Sequence, residues 1–421
     1  MNIIFPHPLI MCVYLVILIF IIKKSQLFYS QFYTKSFYLF LFIAKIIIGL
    51  LGFYFLIKYT HTYDTKCFIN EAETIVNFFF LDKSVYFRLV FGLNDFQPEP
   101  PELLPYIDQL GFWYDYSSYF MVRILAVLLP LCLNDIFILY IVFSFITTYF
   151  IYIFFEFIIK NTSINEVLLP LLLFIIPGFL FWNSQIHKDA VIAIFYIVIT
   201  YATSQFFSEK KYYYIMAIAA SFYCMFFLRY YTFFMLIPAW LSWVIATCRR
   251  VKRPIALFAA IYVVFIVLAF LIDVNYDSLS LIKEITIRQD IFINNWGNTS
   301  YPLKAIDNSL GNLLLLLPYA LINSFIHPFF WGCKNIFCHL NSIETLWIII
   351  LLVFLLSKVN YMKLLTDSLS CYFLFFSLSI TTLSGLIVNN GGAIARYRSL
   401  SVLLIVIALF NHIELYKTKD K

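Results

Sequence analysis

Apolar runs long enough to span a membrane recur along the whole chain, and they constrain its fold more than any other feature. A run of about 20 apolar residues crosses the hydrocarbon core of a bilayer as an α-helix, which satisfies its own backbone hydrogen bonds. The runs predict eleven spans, near residues 5–22, 37–58, 136–158, 167–183, 190–207, 212–228, 231–248, 255–272, 344–357, 368–388 and 399–415. Two weaker runs, 119–133 and 311–331, are predicted to form interfacial or re-entrant helices.

The composition excludes a soluble protein. The chain is 63% hydrophobic and only 12% charged, whereas a soluble domain carries about 25% charged residues. We therefore predict an all-α, polytopic integral membrane protein with a single transmembrane domain over residues 1–421. The basic cluster 249–253 adjoins an apolar run and is interpreted as a topology anchor, so no nucleic-acid partner is expected.

Basic residues predict the orientation of the chain, because lysine and arginine concentrate in cytoplasmic loops. The basic clusters are Lys23 with Lys24, Lys210 with Lys211, 249–253, Lys358 with Lys363, and the tail 416–421. All of them are cytoplasmic if the N-terminus is outside, the C-terminus is inside and neither weaker run crosses. The large outer loops are then 59–135 and 273–343, and shorter outer segments lie at 184–189 and 389–398. In the alternative, in which every run crosses, one or more basic clusters lie outside.

Asp64 is the first candidate functional residue, because it follows the second predicted span by a few residues and lies near the depth of the lipid headgroups. A carboxylate there is suited to act as a general base on a sugar hydroxyl, or to bind a metal ion, while the lipid tail of another substrate stays in the membrane. Most other acids of the loop, including Asp95 and Asp108, are interpreted as a solvated surface.

The stretch "FWNSQIHKDA", residues 181–190, places six polar residues at the junction of two predicted spans. His187, Lys188 and Asp189 precede a helix whose positive N-terminal end favours anions, and carboxylates and amides suit sugar hydroxyls. These residues predict a substrate-binding surface. The alternative is a hydrophilic turn in which Asp189 caps the following helix.

Three arginines are also predicted to face outside. The stretch "VNNGGAIARYRSLSVLL" places Arg396 and Arg398 beside a glycine pair, and Arg229 is flanked by aromatic residues in "FFLRYYTFF". Planar guanidinium groups bind phosphate oxygens with paired hydrogen bonds, which predicts a phosphate site. The alternative is that these side chains extend to the lipid headgroups.

Two cysteines lie close together in the second large outer loop. In "CKNIFCH", Cys333 and Cys338 have a spacing compatible with a disulfide or a metal pair, but no second matching half accompanies them. Both alternatives remain open from the sequence.

The order of these features resembles the GT-C class of polyprenyl-phosphate-sugar-dependent glycosyltransferases, in particular the protein-mannosyltransferase-like group. The shared order is a span, an acid directly after it, a long loop, an arginine in "YFMVRILAVLLPL" and the polar segment of "IIPGFLFWNSQIHKDAVIAIF", over residues 37–210. The resemblance implies an inverting transferase with a lipid-linked donor, in which Asp64 is the catalytic acid, Arg123 opens the next helix and Asp189 is a second acid of the same cavity. "YDTK" stands where that class commonly has a paired acidic motif, so a divalent metal ion remains open.

The span number, the aromatic content and the two large outer loops also resemble the O-antigen and capsule repeat-unit polymerases, which extend a glycan linked to undecaprenyl diphosphate. We therefore predict a glycosyltransferase of cell-surface polysaccharide or lipopolysaccharide biosynthesis in the inner membrane, with repeat-unit polymerisation as its reaction. The alternative is a lipid-linked oligosaccharide flippase or transporter, although the two halves of the chain show no convincing repeat.

The predicted partners are a polyprenyl (di)phosphate-linked glycan donor, a glycan acceptor, membrane lipid and other polysaccharide assembly proteins. The predicted catalytic residues are Asp64 and Asp189. The predicted substrate-binding residues are Arg123, His187, Lys188, Arg229, Arg396 and Arg398. No cofactor is assigned.

Overall fold

The computed structural model describes residues 8–60, 64–92, 99–275, 281–295, 297, 299–307 and 310–413. Asp95 and the basic tail 416–421 lie outside the described residues. Within the described ranges the backbone forms α-helices, two short 3₁₀ helices and no strand apart from two isolated β-bridges. The all-α prediction is confirmed.

The helices vary widely in length because several apolar runs are interrupted. They are α1 Pro8–Lys24, α2 Lys35–Thr60, α3 Asp64–Leu81, α4 Lys83–Phe91, α5 Leu104–Ile107, α6 Tyr116–Leu131, α7 Ile136–Asn161, α8 Leu168–Ile175, α9 Pro177–Ser184, α10 Lys188–Glu209, α11 Tyr213–Arg249, α12 Pro254–Asn275, α13 Leu281–Asn294, α14 Leu310–Ile326, α15 Ile336–Lys358, α16 Tyr361–Thr366, α17 Ser368–Ile387 and α18 Gly391–Phe410.

In the part of the chain that the structure describes, eight helices are long and apolar enough to cross a membrane. They are α2, α7, α10, α11, α12, α15, α17 and α18. Nine of the eleven predicted spans lie largely within these helices, because α11 includes two of them. The end of the last predicted span, residues 414–415, lies outside the described residues. The architecture is that of a polytopic membrane protein.

The other apolar runs form helices that are shorter than the eight candidate spans. The first run forms α1, which has 17 residues. The run at 167–183 is broken between α8 and α9, because Pro177 lacks the N–H that would continue the helix. The two weaker runs form α6, with 16 residues, and α14, with 17 residues.

The chain folds as two compact units. Unit 1 comprises Met1–Lys160 and Phe181–Tyr230, and unit 2 comprises Asn161–Leu180 and Tyr231–Lys421. The single transmembrane domain over residues 1–421 stays a prediction.

In unit 1, α3 is amphipathic and packs on α6. Its buried residues include Phe68, Ala72 and Ile75, which recur at helical spacing along one face. Asp64 and Glu71 lie on the same stripe, one turn before Phe68 and one turn after it. The apolar packing of α3 therefore orients these two carboxylates.

In unit 2, α17 packs on both α14 and α18, and its packing on α14 includes a contact between small residues. Gly385 of α17 lies so close to the backbone carbonyl of Ala320 that a Cβ atom would overlap it. Asn323 Nδ2 donates to the Gly385 carbonyl oxygen at 2.9 Å. Close backbone approach of this kind is typical of helix packing in membranes.

Candidate functional site

The polar segment at residues 183–187 is buried inside unit 1. Helix α9 ends at Ser184, α10 begins at Lys188, and the connection between them is only three residues long. Every residue from Asn183 to His187 has a relative exposure of 4% or less. The segment is buried and the N-cap position of α10 is His187, so the alternative of a hydrophilic turn capped by Asp189 is wrong. The role of the segment in substrate binding stays a prediction.

Helix α2 supplies the surface that holds this segment. Lys45 is fully buried, and its ammonium group donates to the backbone carbonyl oxygen of Asn183 at 2.9 Å and to the Asn183 side-chain oxygen. One turn later, Gly49 lies against the Ser184 carbonyl, where an added Cβ would come within 2.7 Å of the oxygen. Gly52 faces the side chain of Gln185. The end of α9 and the residue after it thus pack on one face of α2, which presents a lysine and two glycines.

Four side chains that can carry charge, which we call the ionic chain, follow one another next to this segment: Asp64, His187, Asp189 and Arg229. His187 Nε2 lies 3.3 Å from Asp64 Oδ2, and His187 Nδ1 lies 2.8 Å from Asp189 Oδ2. Asp189 Oδ1 in turn accepts a hydrogen bond from Arg229 Nη1 at 2.6 Å. The side chain of Asp64 is 54% exposed, whereas those of His187 and Asp189 are 1% and 9% exposed. Asp64 is therefore the accessible end of a buried ionic chain.

Local backbone geometry brings the members of this chain together. The Thr65 hydroxyl donates to the Ile186 carbonyl oxygen at 2.7 Å, which ties the start of α3 to the residue before His187. Within α11, Arg229 has extended rather than helical backbone angles, φ −163° and ψ 86°. This break interrupts the helix at the residue that contacts Asp189.

Lys188 lies next to the ionic chain and contacts a pair of serines. Its ammonium group donates to Ser117 Oγ and Ser118 Oγ, each at 2.9 Å. Ser117 donates onward to the Leu228 carbonyl oxygen at 2.6 Å, next to the break in α11. Asp115, which caps α6, accepts from Ser118 Oγ at 2.6 Å. The N-terminal ends of α3, α6 and α10 and the break in α11 therefore meet at one place.

Aromatic rings surround the histidine. The rings of Phe68 and Trp182 each lie 6.3 Å from the ring of His187, measured between centroids. The ammonium group of Lys188 lies 5.5 Å from the centroid of the Phe68 ring. This distance is within the range of a cation–π contact, so Phe68 supports both the imidazole and the ammonium group.

Glu71 is a second carboxylate on the face of α3 that carries Asp64. Both of its oxygens lie 3.1 Å from the Phe112 backbone N–H, which donates to them. Burial raises the pKa of Glu71, although the N–H groups of Phe112 and Gly111 act in the opposite direction. Glu71 thus fastens the connection between α5 and α6 to α3.

Arg123 lies elsewhere in unit 1. Its guanidinium group donates to the carbonyl oxygens of Leu89, at 3.2 Å, and Gly92, at 2.5 Å, at the C-terminal end of α4. It also lies over the ring of Tyr119, at 4.8 Å from the centroid. Arg123 lies in the middle of α6, so the expectation that it opens a helix is wrong; its side chain contacts the end of α4. Its role in substrate binding stays a prediction.

Arg398 lies in unit 2 and is buried. It donates to the carbonyl oxygens of Ser324 at 3.1 Å, Phe325 at 3.4 Å and His327 at 2.8 Å, and also to the Thr345 hydroxyl. These carbonyls belong to the last turn of α14 and the residues after it, where a helix lacks intrahelical donors. The guanidinium group thus caps α14.

The glycine pair before these arginines is helical rather than a loop. Asn390 caps α18 by accepting from the N–H groups of Gly392 and Ala393, so the helix begins at Gly391 and includes both arginines. Arg396 contacts the ring of Tyr397, with 5.0 Å between the guanidinium carbon and the ring centroid. The phosphate-binding roles of Arg396 and Arg398 stay predictions.

His327 follows α14 and stacks on Tyr301, with 3.7 Å between ring centroids and 9° between ring planes. Burial, with a smaller contribution from the positive charge of Arg398, lowers the pKa of His327 to about 4. The imidazole is therefore neutral at physiological pH.

In the described part of the chain, no group of three or more histidine, cysteine, aspartate or glutamate side chains is arranged to hold a metal ion. The two ring nitrogens of His187 each lie next to a carboxylate oxygen, of Asp64 and of Asp189, on opposite sides of the ring, so the three side chains do not converge on one metal position. Cys333 and Cys338 form a disulfide, so this cysteine pair is not a metal site.

Several residues of the site were missed from the sequence. Ser117 and Ser118 had no distinguishing motif. Lys45 stands out as a lysine inside an apolar run, but from the sequence it favoured only the transporter alternative and was not predicted to belong to the site. The sequence matches no protein-family model and no curated protein, and the fold matches no solved structure.

Proposed function

We propose that the protein is a membrane glycosyltransferase that polymerises polyprenyl-linked glycan repeat units at the extracytoplasmic face. The observation that carries the proposal is the half-exposed carboxylate of Asp64, supported from behind by buried His187, Asp189 and Arg229. Buried ionic chains are costly to form in a membrane protein, so they are typical of functional sites.

Asp64 would act on the acceptor glycan. An exposed carboxylate held by a rigid scaffold is suited to take the proton of a sugar hydroxyl as its oxygen attacks the anomeric carbon of the donor. Asp64 is the first residue of α3, and Phe68, one turn later, contacts His187 and Lys188. This packing supports a fixed orientation for the base.

Lys188 would act on the leaving group. It is the first residue of α10, a helix of 22 residues, and its ammonium group is oriented by two serine hydroxyls. The N-terminal end of a helix carries partial positive charge and attracts phosphate oxygens. The ammonium group of Lys188 adds a full positive charge at the same place, which would stabilise negative charge that develops on the leaving phosphate. A polyprenyl diphosphate is a leaving group of this kind.

The proposed side of the membrane has two supports. The positive-inside rule assigns loop 273–343 to the outside, and the Cys333–Cys338 disulfide lies in that loop. Disulfides persist in oxidising compartments, which include the bacterial periplasm. We therefore propose the inner membrane as the location and surface polysaccharide, either lipopolysaccharide or capsule, as the product.

The test is the ladder of surface polysaccharide on a gel. A strain deleted for the gene is complemented with wild type, Asp64→Asn, Lys188→Met or the control Asp108→Asn at equal membrane abundance. Asp108 is an exposed carboxylate of the same loop and serves as the matched control. We expect deletion to leave a single repeat unit on the lipid carrier, and we expect only wild type and Asp108→Asn to restore the ladder.

Other outcomes identify other functions. A complete ladder that lacks one sugar in every rung indicates a side-branch transferase. Repeat units that accumulate on the cytoplasmic leaflet indicate a flippase. Full complementation by Asp64→Asn and Lys188→Met contradicts the proposed site.

A further inference from the structure

Lys45 is a buried ionisable residue that the proposed reaction does not use. It lies near the middle of the candidate span α2, and its side chain is fully buried. Its hydrogen-bond acceptors among the described residues are two oxygens of Asn183, and no described carboxylate forms an ion pair with it. An isolated charge in a low-dielectric interior is strongly unfavourable, so ionisable residues inside membranes are typically functional.

The titratable groups of the elements around Lys45 do not supply a counter-charge. Helices α1 and α7 and segment 183–187 pack on α2. Their described titratable residues, with those of α2 itself, are Cys12, Tyr14, Lys23 and Lys24 of α1, Lys35, Tyr38, Tyr54 and Lys58 of α2, Tyr140, Tyr149, Tyr152, Glu156 and Lys160 of α7, and His187.

The hydrogen bonds of Lys45 match an uncharged amine. An ammonium group has three N–H donors, whereas a neutral amine has two donors and one lone pair. Asn183 supplies two acceptors, its backbone carbonyl oxygen and its side-chain oxygen, one for each N–H of the neutral form. A buried group without a counter-charge generally gives up its own charge. The lone pair of Nζ is then a proton-binding position inside the membrane.

Helix α7 runs beside α2 in the opposite direction. An added Cβ at Gly49 would lie 2.9 Å from the ring of Tyr140, near the start of α7. Nearer the start of α2, the rings of Tyr38 and Tyr152 lie 5.2 Å apart, measured between centroids. The two helices are therefore in contact over the length of α2 that includes Lys45.

Ser144 is at the level of Lys45 on α7. It lies one turn after Tyr140, just as Lys45 lies one turn before Gly49 on the antiparallel helix. Ser144 and Thr148, one further turn along, are both fully buried. Their hydroxyl groups have no hydrogen-bond partner among the residues that the structure describes.

Thr147 shows that this is not the ordinary state of a hydroxyl in α7. Its hydroxyl donates to the Phe143 carbonyl oxygen at 3.0 Å, the usual bond of a threonine to its own helix. Ser144 and Thr148 do not make that bond, and buried polar groups without a protein partner generally bind ordered water. Positions four residues apart are about 6 Å apart along a helix, which is two hydrogen bonds through one water molecule.

The row continues to the end of α7 that the basic residues assign to the cytoplasm. Tyr152 and Glu156 follow Thr148 at steps of four residues. Glu156 is 7% exposed, accepts a hydrogen bond from the Ser30 hydroxyl, and lies 3.4 Å from the ammonium group of Lys160. Carboxylates in such positions exchange protons with water in membrane proteins. We call Ser144, Thr148, Tyr152 and Glu156 the polar stripe.

We propose that Lys45 is a proton-binding site inside the membrane, supplied from the cytoplasmic side by the polar stripe. A proton from cytoplasmic water adds to the lone pair of Nζ, so the amine becomes an ammonium group and no other bond to carbon changes. The ammonium group keeps both bonds to Asn183 and strengthens them, because charged donors form shorter and stronger hydrogen bonds.

Asn183 connects this proton to the ionic chain. It begins the buried segment 183–187, and Gln185 holds the middle of the segment by donating to a carbonyl oxygen of α2 at 3.3 Å. A firmer hold on Asn183 should fix His187, whose Nε2 lies 3.3 Å from Asp64 Oδ2. Proton binding at Lys45 would therefore promote transfer at the opposite face. This last step rests on the proposed function, whereas the proton site does not.

The first test is the pH dependence of unfolding in detergent for wild type, Lys45→Met and the control Lys58→Met, an exposed lysine of the same helix. A lysine of the unfolded chain binds a proton below about pH 10.4. If the folded protein holds Lys45 uncharged, the unfolded chain binds one more proton, and stability rises with pH. From about pH 7 to about pH 9, the unfolding equilibrium constant of wild type should fall about tenfold per pH unit relative to that of Lys45→Met.

Lys58→Met should run parallel to wild type in this test. Parallel curves for wild type and Lys45→Met overturn the inference. If Lys45→Met does not fold, Lys45→Gln takes its place, because its amide also has two N–H donors for Asn183.

The second test addresses the route. Protein in liposomes receives the lipid-linked repeat unit from the deletion strain and a rapid pH drop from about 8 to about 6, on the side of Lys23 or on the opposite side. We expect faster transfer only after the drop on the side of Lys23. Thr148→Val removes one hydroxyl of the polar stripe and should delay this response by about tenfold or more. The matched control Thr147→Val should respond as wild type does.

The outcomes separate the inference from the proposed function. An equal response to both pH drops, or an undelayed response of Thr148→Val, overturns the cytoplasmic route. Absence of transfer by wild type under every condition overturns the proposed function, and the unfolding test then still decides whether Lys45 binds a proton.

Discussion

Arg229 in unit 1 and Arg398 in unit 2 are both buried arginines, but they contact different groups. Arg229 contacts a carboxylate that leads through His187 to the exposed end of Asp64. Arg398 contacts backbone carbonyls at the end of α14. A buried guanidinium group that binds a carboxylate offsets a buried negative charge, whereas one that binds carbonyls completes a helix end. The difference indicates that burial of an arginine is a poor guide to function unless its partners are known.

Arg229→Met should have the largest effect. It leaves the Asp189 carboxylate buried without its guanidinium partner, which costs about 3–5 kcal/mol in comparable cases. We expect a lower melting midpoint in detergent and a loss of turnover of about 100-fold. The double variant Arg229→Met, Asp189→Asn should recover the melting midpoint without recovering turnover. If turnover also returns, Arg229 and Asp189 are only structural.

Arg398→Met tests the other arginine. Loss of the guanidinium group leaves three carbonyl oxygens near the end of α14 without this donor, which should destabilise the protein by about 3 kcal/mol. We expect a lower melting midpoint, with activity falling only in proportion to the folded protein. An unchanged midpoint with a raised KM for the lipid-linked donor would instead support the predicted phosphate role.

Gly52 in unit 1 and Gly385 in unit 2 allow the same comparison of the two units, with smaller expected effects. An added Cβ at Gly385 overlaps a backbone carbonyl, whereas one at Gly52 overlaps the end of the flexible Gln185 side chain. Gly385→Ala should therefore cost about 1–3 kcal/mol of stability. Gly52→Ala should be less destabilising, but it displaces Gln185 beside His187 and should reduce turnover. Melting midpoints and turnover measured for both variants test whether Gly385→Ala mainly lowers stability and Gly52→Ala mainly lowers turnover. Equal losses of stability would contradict this prediction.

His327 should produce the smallest effect, visible only at acidic pH. Its pKa is lowered to about 4 in the folded protein, so the unfolded chain binds this proton at a higher pH than the folded chain. The associated stability is fully present above about pH 6.5 and is lost as the pH falls toward 4. Between pH 7 and pH 4 the melting midpoint of wild type should fall more than that of His327→Gln. Parallel curves would show that His327 does not contribute.

Much of the fold follows from the sequence, because apolar runs of sufficient length become helices wherever no proline or polar group interrupts them. The break at Pro177 is readable from proline chemistry. The break at Arg229 is not, because no proline or glycine marks it in the sequence, and the residue that Arg229 contacts, Asp189, is 40 residues away in the chain. Helix ends were less predictable than helix centres, as α18 illustrates: it begins at Gly391, eight residues before the predicted span, under the cap of Asn390.

The candidate site was predicted in part. Asp64, His187, Lys188 and Asp189 are close together because the residues after one span and before another meet at the same helix ends. The order of the ionic chain was not predictable, since two carboxylates of one sequence look equivalent until their burial is known. Asp189 was predicted as a catalytic residue; it is buried and its Oδ1 accepts a hydrogen bond from Arg229, and its catalytic role stays a prediction.

The face of α2 that packs on the end of α9 defines a short sequence pattern that can be used to search for distant relatives. Loop sequences diverge freely, but we expect a relative that keeps this site to keep a lysine, a glycine four residues later and another glycine three residues after that, as at Lys45, Gly49 and Gly52. It must also keep a second block in which histidine and aspartate are two residues apart, as at His187 and Asp189. A search for these two spaced blocks can identify homologues whose overall sequences no longer align.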